Sequence, residues 1–155
     1  MGAESSREQS YMELALAEAE AAGRQGEVPV GAVLVDPATG KVLTAAGNAT
    51  ERHADPTAHA EILAIRAACA AAGSPRLPGT DLYVTLEPCA MCAAAIANAR
   101  IARVYYGAYD PKGGAVDHGV RFFQQPTCLH RPETYGGIEE VRAGELLRKF
   151  FRERR

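Results

Sequence analysis

The stretch DLYVTLEPCAMC, residues 81–92, decides the fold of this chain. Its first half, 81–86, is a short run of mostly apolar, β-branched or aromatic residues, which predicts a buried strand. A helix is predicted to begin at Pro88-Cys89, and a second apolar strand follows at 101–107. A strand-helix-strand unit places its two strands parallel in one sheet with the helix on one face. This stretch therefore predicts an α/β fold.

The rest of the chain adds a hairpin and three helices to this unit. A capping box at Ser5 and Glu8 predicts the start of the first helix, which ends at the glycines that follow. Periodicity and turn residues predict strands over 28–36 and 41–48 and helices over 59–72 and 139–154. No linker interrupts these elements, so a single α/β domain is predicted over residues 1–155.

Residues 108–133 are predicted to form one long loop. Loops of this length without secondary structure are uncommon in compact domains and usually serve a function. The loop is rich in charged and aromatic side chains, which favours a binding surface. These side chains are Asp110, Lys112, His118, Arg121, Phe122, Phe123, His130 and Arg131.

The composition excludes several classes of protein. Of the 155 residues, 47% are hydrophobic and 23% are charged, which is typical of a folded domain and not of a disordered chain. The longest apolar stretches are far short of the roughly 20 residues that span a bilayer, so we expect a cytoplasmic protein without a membrane partner. Reducing compartments keep thiols free, and the pair Cys89 and Cys92 therefore indicates metal or redox chemistry.

A zinc site is predicted from His59, Cys89 and Cys92. Zinc prefers imidazole nitrogen and thiolate sulfur, and a catalytic site uses three protein ligands and one water. Cys89 and Cys92 are three residues apart at a helix start, which can place both sulfurs on one side of the first turn. Glu61 is two residues beyond His59, where its carboxylate can exchange a proton with a zinc-bound water.

Two other interpretations of the Cys-x-x-Cys pair are a redox pair and half of a structural zinc site. A redox pair would not explain the accompanying His59-Ala60-Glu61. A structural site would require a fourth ligand from the remaining histidines and cysteines. Cys128 and His130 form a weak candidate for a second metal pair, whereas Cys69 lies on an apolar helix face and is interpreted as a core residue.

The motif H-x-E followed by P-C-x-x-C is the signature of zinc-dependent deaminases. The chain also resembles the bacterial tRNA adenosine deaminases over nearly its whole length. The matching segments are 26–33, 55–61, 82–89, 100–101, 107–112 and 150–155. At Asp117-His118 the chain departs from the Gly-Ser pair that is usual in that family.

The resemblance implies a three-layer α/β/α cytidine-deaminase-like fold, with a central mixed five-stranded sheet flanked by helices. It implies hydrolytic deamination of the wobble adenosine of a tRNA anticodon to inosine, by a zinc-bound hydroxide that attacks C6 while Glu61 shuttles the proton. It further implies a homodimer that acts on the anticodon stem-loop. Within the site, Asn48 would hold the nucleoside, Val30 and Leu86 would wall the pocket, and Asp110 would lie against the nucleotide backbone.

Two alternatives to this function remain at the level of sequence. The same zinc chemistry would serve a free-base or nucleoside deaminase that acts on guanine, cytosine or cytidine. A catalytically silent RNA-binding module would not require Glu61. The six basic residues between 142 and 155 are interpreted as an RNA contact or as a solvated helix face. Phe150 and Phe151 are expected to pack the last helix onto the core.

Overall fold

The computed structural model describes residues 2–154. Within this range the chain forms four helices, five strands and a short 3₁₀ turn. Their bounds are α1 Gly2–Arg24, β1 Gly31–Asp36, β2 Lys41–Gly47, α2 Ala60–Ala72, β3 Asp81–Leu86, α3 Ala90–Asn98, β4 Arg103–Ala108, the 3₁₀ turn Phe122–Gln124, β5 Glu133–Tyr135 and α4 Glu140–Glu153. None of these helices is long and apolar enough to cross a membrane.

The five strands form one mixed sheet in the order β2-β1-β3-β4-β5. β1 pairs antiparallel with both β2 and β3, whereas β3, β4 and β5 run parallel. The parallel pair β3 and β4 is the unit that the opening stretch predicted, with Tyr83 opposite Tyr105 and Leu86 opposite Ala108. The predicted fold class, an α/β/α arrangement around a mixed five-stranded sheet, is confirmed.

Helices cover both faces of the sheet and create two apolar layers. On one face, Val33 and Val35 of β1 pack with Met12 and Leu16 of α1, and α4 completes this layer. On the other face, the intervening Leu34 belongs to the layer that α2 and α3 cover. Because successive strand residues point to opposite faces, an apolar run such as β1 is buried on both sides.

α1 lies directly on β1 at Gly31. A Cβ at this position would be 2.6 Å from the backbone nitrogen of Ala19 and 2.8 Å from the Cβ of Glu18. No side chain larger than hydrogen fits without moving the helix. The glycine therefore sets how closely α1 approaches the sheet.

Several sequence predictions differ from the structure in detail. The first strand begins at Gly31 rather than at residue 28, and α1 already includes the predicted cap residue Ser5. β5 was not located by pattern, because its three residues are paired only along β4. In α4, Phe150 is buried as predicted, but the prediction for Phe151 was wrong, since half of that residue is exposed. Arg155 lies outside the described residues.

Candidate active site and metal centre

The three predicted metal ligands lie at the starts of two neighbouring helices. His59 is the N-cap residue of α2 and Cys89 is the N-cap residue of α3, and neither side chain caps its own helix. Both side chains are therefore available to face each other. Cys92 lies in the first turn of α3 and is fully buried. The positive ends of two helix dipoles converge here and favour thiolate sulfur.

The spacing of the three donor atoms fits a tetrahedral zinc ion. The Nδ1 atom of His59 is 3.6 Å from the Sγ atom of Cys89 and 3.4 Å from the Sγ atom of Cys92. Zinc bonds of about 2.0 Å to nitrogen and 2.3 Å to sulfur, at a tetrahedral angle, separate N and S by about 3.5 Å. All three donor atoms lie within 4.8 Å of one another. Two sulfurs and one imidazole leave a fourth position for water.

The acid-base properties of the site agree with this chemistry. Hydrogen bonding from Cys92 and His59 lowers the pKa of Cys89 to about 4, despite the opposing effect of burial. Cys89 is thus the thiolate of the pair at neutral pH, the form that binds zinc. The hydrogen bond with Cys89 and burial raise the pKa of Cys92, so zinc binding must release a proton from Cys92.

Glu61 lies in the first turn of α2, two residues after His59, and is 4% exposed. Burial raises the pKa of this carboxyl to about 7. A carboxyl group with a pKa near neutrality can both accept and return a proton during turnover. The structure thus brings together the three metal donors and a carboxyl group with a suitable pKa.

A cavity of about 330 Å³ opens above these groups. Glu61, His59 and Cys89 line one end of it, and the four residues that the resemblance assigned to the substrate also line it. These four are Val30, Asn48, Leu86 and Asp110. The sequence therefore identified residues from four separate segments that meet at one cavity.

Two of these residues also have structural roles that the sequence did not indicate. The Oδ1 atom of Asn48 accepts a hydrogen bond of 2.8 Å from the backbone N–H of Ala60, so Asn48 caps α2 in place of His59. Its side-chain NH₂ group is then the donor that it can offer to a ligand. The Oδ1 atom of Asp110 accepts hydrogen bonds from the backbone N–H groups of Lys112 and Gly113, which form a tight turn at the rim.

Sequence reasoning missed two buried carboxylates that hold the loops beside the cavity. Glu27 is fully buried and accepts the backbone N–H groups of Glu51 and Arg52 at 3.1 and 2.8 Å. Glu87 is 2% exposed and accepts several donors from the loop after β4. Burial opposes ionisation of both residues, but the N–H groups around them hold the pKa of each carboxyl below its usual value. The sequence does carry one signal for such a carboxylate, which is a charged residue directly after an apolar strand, as in Leu86-Glu87.

Cys128 and His130, the weak candidate for a second metal pair, have structural partners instead. The thiol of the buried Cys128 donates to the carbonyl oxygen of His130, and the Nε2 atom of His130 is 2.7 Å from the carbonyl oxygen of Ile101. Among residues 2–154, His59, Cys89 and Cys92 are the only group of three potential metal donors. Cys69 is half-buried and packs against the core, as interpreted from its helix face.

The basic residues of α4 are partly engaged within the protein. Arg142 pairs with Glu13 of α1, and Arg148 pairs with Glu145 at 2.9 Å. The guanidinium carbon of Arg154 is 3.8 Å from the centre of the Phe150 ring. No such partner is recorded for Arg152 among the described residues.

Fold and donor set together define a zinc-dependent deaminase. The family model described as the cytidine and deoxycytidylate deaminase zinc-binding region matches residues 5–108. The chain is 63% identical over 145 residues to the tRNA-specific adenosine deaminase of Agrobacterium fabrum, with 94% of each chain covered. It is 44% identical over 149 residues to the tRNA-specific adenosine deaminase of Bacillus subtilis, covering 96% of this chain and 91% of the relative. The chain belongs to the cytidine and deoxycytidylate deaminase family and, within it, to the tRNA-specific adenosine deaminases.

Solved structures agree with this placement. A structure from a study of A-to-I editing by tRNA:A34 deaminases at the wobble position is 62% identical and superposes with a TM-score of 0.86. It covers 89% of this chain and 99% of its own. A guanine deaminase from Nitrosomonas europaea superposes with a TM-score of 0.80 at 20% identity, covering 92% of this chain and 83% of its own. This second likeness concerns the fold alone.

Proposed function

We infer that this chain is a hydrolase that deaminates adenosine to inosine at the wobble position of a tRNA anticodon, with zinc as its cofactor. The observation that carries this inference is the meeting of Glu61, His59 and Cys89 at one cavity, with Cys92 completing the group of three donor atoms, in a chain 63% identical to a tRNA-specific adenosine deaminase. In the overall reaction, water adds to C6 of adenine and the bond from C6 to the amino nitrogen breaks. The products are inosine and ammonia.

We propose that His59, Cys89 and Cys92 hold the metal and that Glu61 moves the protons. When bound, zinc lowers the pKa of water to about 7 and so supplies a nucleophile at neutral pH. Glu61 would take one proton from the attacking water and deliver it to N1 of adenine, which makes C6 electrophilic. It would then take the remaining proton from the hydroxyl added at C6 and pass it to the amino nitrogen, which leaves as ammonia. The pKa of about 7 that burial gives this carboxyl suits both directions of transfer.

The size of the cavity supports an extruded base as the substrate. A volume of about 330 Å³ is sufficient for a single nucleoside, and deaminases of nucleic acids act on a base that has left the stack. We propose that Val30 and Leu86 contact the faces of the base and that the NH₂ group of Asn48 donates to the nucleoside. Asp110 would lie at the rim, next to the sugar-phosphate backbone.

The basic part of α4 is proposed to contact the RNA backbone, because phosphate contacts position an RNA without reading its sequence. We expect that the double change Arg152→Ala and Arg154→Ala weakens binding of the anticodon stem-loop. It should also lower the dependence of log K on log salt by roughly 0.7 for each phosphate that the variant no longer neutralises. Arg76→Ala, on an exposed loop outside this cluster, is the matched control. An unchanged salt dependence in the double variant would identify the arginines as a solvated helix face.

The family resemblance also supports a cytoplasmic homodimer as the working form. Light scattering on the purified zinc-loaded chain tests this proposal directly. A mass of one chain at the concentrations used for turnover would contradict the dimer.

The substrate is tested with parallel incubations of the zinc-loaded chain. One contains an anticodon stem-loop with adenosine at the wobble position, and a second contains the same stem-loop with that adenosine replaced by guanosine. Three others contain cytidine, cytosine and guanine. We expect inosine only in the first RNA. Conversion of a free base or nucleoside, with no inosine in the RNA, would overturn the proposed function.

A further inference from the structure

Glu87 is a fully buried carboxylate with an unusual number of donors. It follows the last residue of β3 and precedes Pro88. Its Oε1 atom accepts the backbone N–H of Asp110 at 3.0 Å and lies 2.8 Å from the Nδ1 atom of His118. Its Oε2 atom accepts the backbone N–H groups of Val116, Asp117 and His118, at 3.1, 2.9 and 3.0 Å respectively. These five hydrogen bonds satisfy the carboxylate from within the protein.

All five donors come from residues 110–118, the segment that follows β4. Further backbone hydrogen bonds connect the same segment to itself and to Pro88, two residues after the end of β3. The backbone N–H of Gly114 donates to the carbonyl oxygen of Asp110, and that of Ala115 donates to the carbonyl oxygen of Pro88, both at 2.8 Å. The segment is therefore wrapped around the Glu87 side chain.

Gly114 shows how closely the wrap is closed. A Cβ at this position would lie 2.5 Å from the carboxyl carbon of Glu87 and 2.5 Å from the carbonyl oxygen of Asp110. No residue with a side chain fits here unless both the carboxylate and the backbone at Asp110 move. Gly114 and Glu87 thus form one packed unit.

The same segment forms a wall of the active-site cavity. Asp110 and Gly113 line the cavity, as do Asn48 and Thr50. Glu87 itself reaches the lining, but its oxygens are occupied by the loop. A change at Glu87 is therefore transmitted to the wall that faces the substrate, while the donors of the metal site belong to other residues.

We propose that Glu87 is a positioning residue that holds segment 110–118 as the substrate-side wall and so governs the affinity for RNA. This inference rests on the proposed function for the identity of the substrate. The residues proposed for zinc binding and proton transfer lie at the starts of α2 and α3, so we expect a change at Glu87 to leave both functions intact. His118 adds the one side-chain donor of the five and reinforces the wall.

The principal test is Glu87→Gln in the full-length, zinc-loaded chain. An amide has one oxygen, so its NH₂ group faces either the backbone N–H of Asp110 or the three backbone N–H groups on the Oε2 side. In both orientations at least one backbone donor loses its acceptor, and the wall loosens. We expect KM for the anticodon stem-loop to rise about tenfold, with kcat within about threefold of wild type and one zinc retained per chain. Glu133→Gln, an exposed change of the same kind, serves as the control and should leave KM unchanged.

Amide hydrogen exchange distinguishes a loosened wall from general unfolding. In Glu87→Gln, the amides of Val116 and Asp117 should exchange faster, while those of Glu51 and Arg52, which Glu27 holds, should keep their wild-type rates. His118→Ala is a milder variant that tests the same unit if Glu87→Gln does not fold. It removes one donor and should raise KM about twofold to threefold.

The outcomes separate this inference from the proposed function. Absence of inosine with the wild-type chain would overturn the proposed function, whatever the variants do. With an active wild type, an unchanged KM in Glu87→Gln would overturn the positioning role. If Glu87→Gln does not fold, an unchanged KM in His118→Ala would overturn it instead. So would a loss of zinc or a selective loss of kcat, because either result would assign Glu87 to the metal site.

Discussion

The metal centre and the walls of the cavity are built in different ways. His59, Glu61, Cys89 and Cys92 are all supplied by the first turns of α2 and α3, where helix geometry fixes their relative positions over two or three residues. The walls, in contrast, are loops whose backbone N–H groups donate hydrogen bonds to the carboxylates of Glu27 and Glu87. These donors lie 23 to 31 residues away from the carboxylates in the chain. Within each helix start the spacing of the reactive side chains is therefore local, and only the packing of α2 beside α3 brings His59 to cysteines 30 and 33 residues away. The walls depend throughout on hydrogen bonds between distant residues.

The contrast has an energetic basis. A helix start presents free N–H groups and a positive potential whatever surrounds it, so each helix start favours a thiolate or another anion by its own geometry. A buried carboxylate is costly unless its hydrogen bonds are complete. The loops around Glu27 and Glu87 are consequently held firmly while every donor is in place, and they lose order when one is removed.

The largest expected effect separates proton transfer from metal binding inside the metal centre. Glu61→Gln keeps the shape of the side chain but removes its ability to carry a proton, so turnover should fall by roughly 10²–10⁴-fold. Zinc should remain at one per chain, as measured by metal analysis, because Glu61 is not one of the three donors. Cys92→Ser is the paired variant, and it should lose both zinc and turnover. Near-normal turnover of Glu61→Gln would refute the shuttle role.

A second prediction concerns the wall that Glu27 supports. Glu27→Gln leaves the backbone N–H groups of Glu51 and Arg52 poorly matched, so the free energy of unfolding should fall by about 1–3 kcal/mol. The effect should depend on pH in a defined direction. The folded-state pKa of Glu27 is lowered, so the stability that its charge contributes is complete above its ordinary value of 4.5 and is lost as pH falls through the folded pKa.

Denaturant unfolding at several pH values checks this second prediction. The difference between wild type and Glu27→Gln should be constant near neutrality and shrink in acid below 4.5. Glu51→Gln, a nearby exposed change, should show neither effect. A difference that grew in acid would mean that Glu27 is not ionised in the folded protein.

The same contrast explains how much of the molecule the sequence predicted. The proposed metal donors and Glu61 were predicted because the H-x-E and P-C-x-x-C motifs match the signature of zinc-dependent deaminases, and because spacings of two or three residues at a helix start carry geometric meaning without knowledge of the fold. The strands β3 and β4 were found because they are continuous apolar runs. Each of these signals is contained within a short window of sequence.

The features that were missed are those defined by distant partners. Glu27 and Glu87 look like ordinary charged residues, and only the folded chain shows that loops wrap around them. β5 is three residues long and becomes a strand only by pairing with β4. Asp117-His118 was noted as a departure from the family pattern, and the structure places both backbone N–H groups of this pair on Glu87. Phe151 follows the buried Phe150 on an amphipathic helix, and adjacent helical residues point in different directions.

The smallest expected effect concerns a polar group that, unlike Glu27 and Glu87, lacks partners. The hydroxyl of Tyr106 in β4 is buried and has no hydrogen-bond partner within residues 2–154. Tyr106 packs edge-on against Tyr109, which leads into the Glu87-held wall. A buried hydroxyl without a partner costs about 1–3 kcal/mol, so Tyr106→Phe should raise the free energy of unfolding by about 1 kcal/mol. Tyr135→Phe removes an exposed hydroxyl that donates to Glu133 and should change stability very little. If Tyr106→Phe instead destabilised the chain, the hydroxyl would have a partner such as an ordered water. The buried polar groups of the sheet would then be satisfied by hydrogen bonds, as those of the loops around Glu27 and Glu87 are.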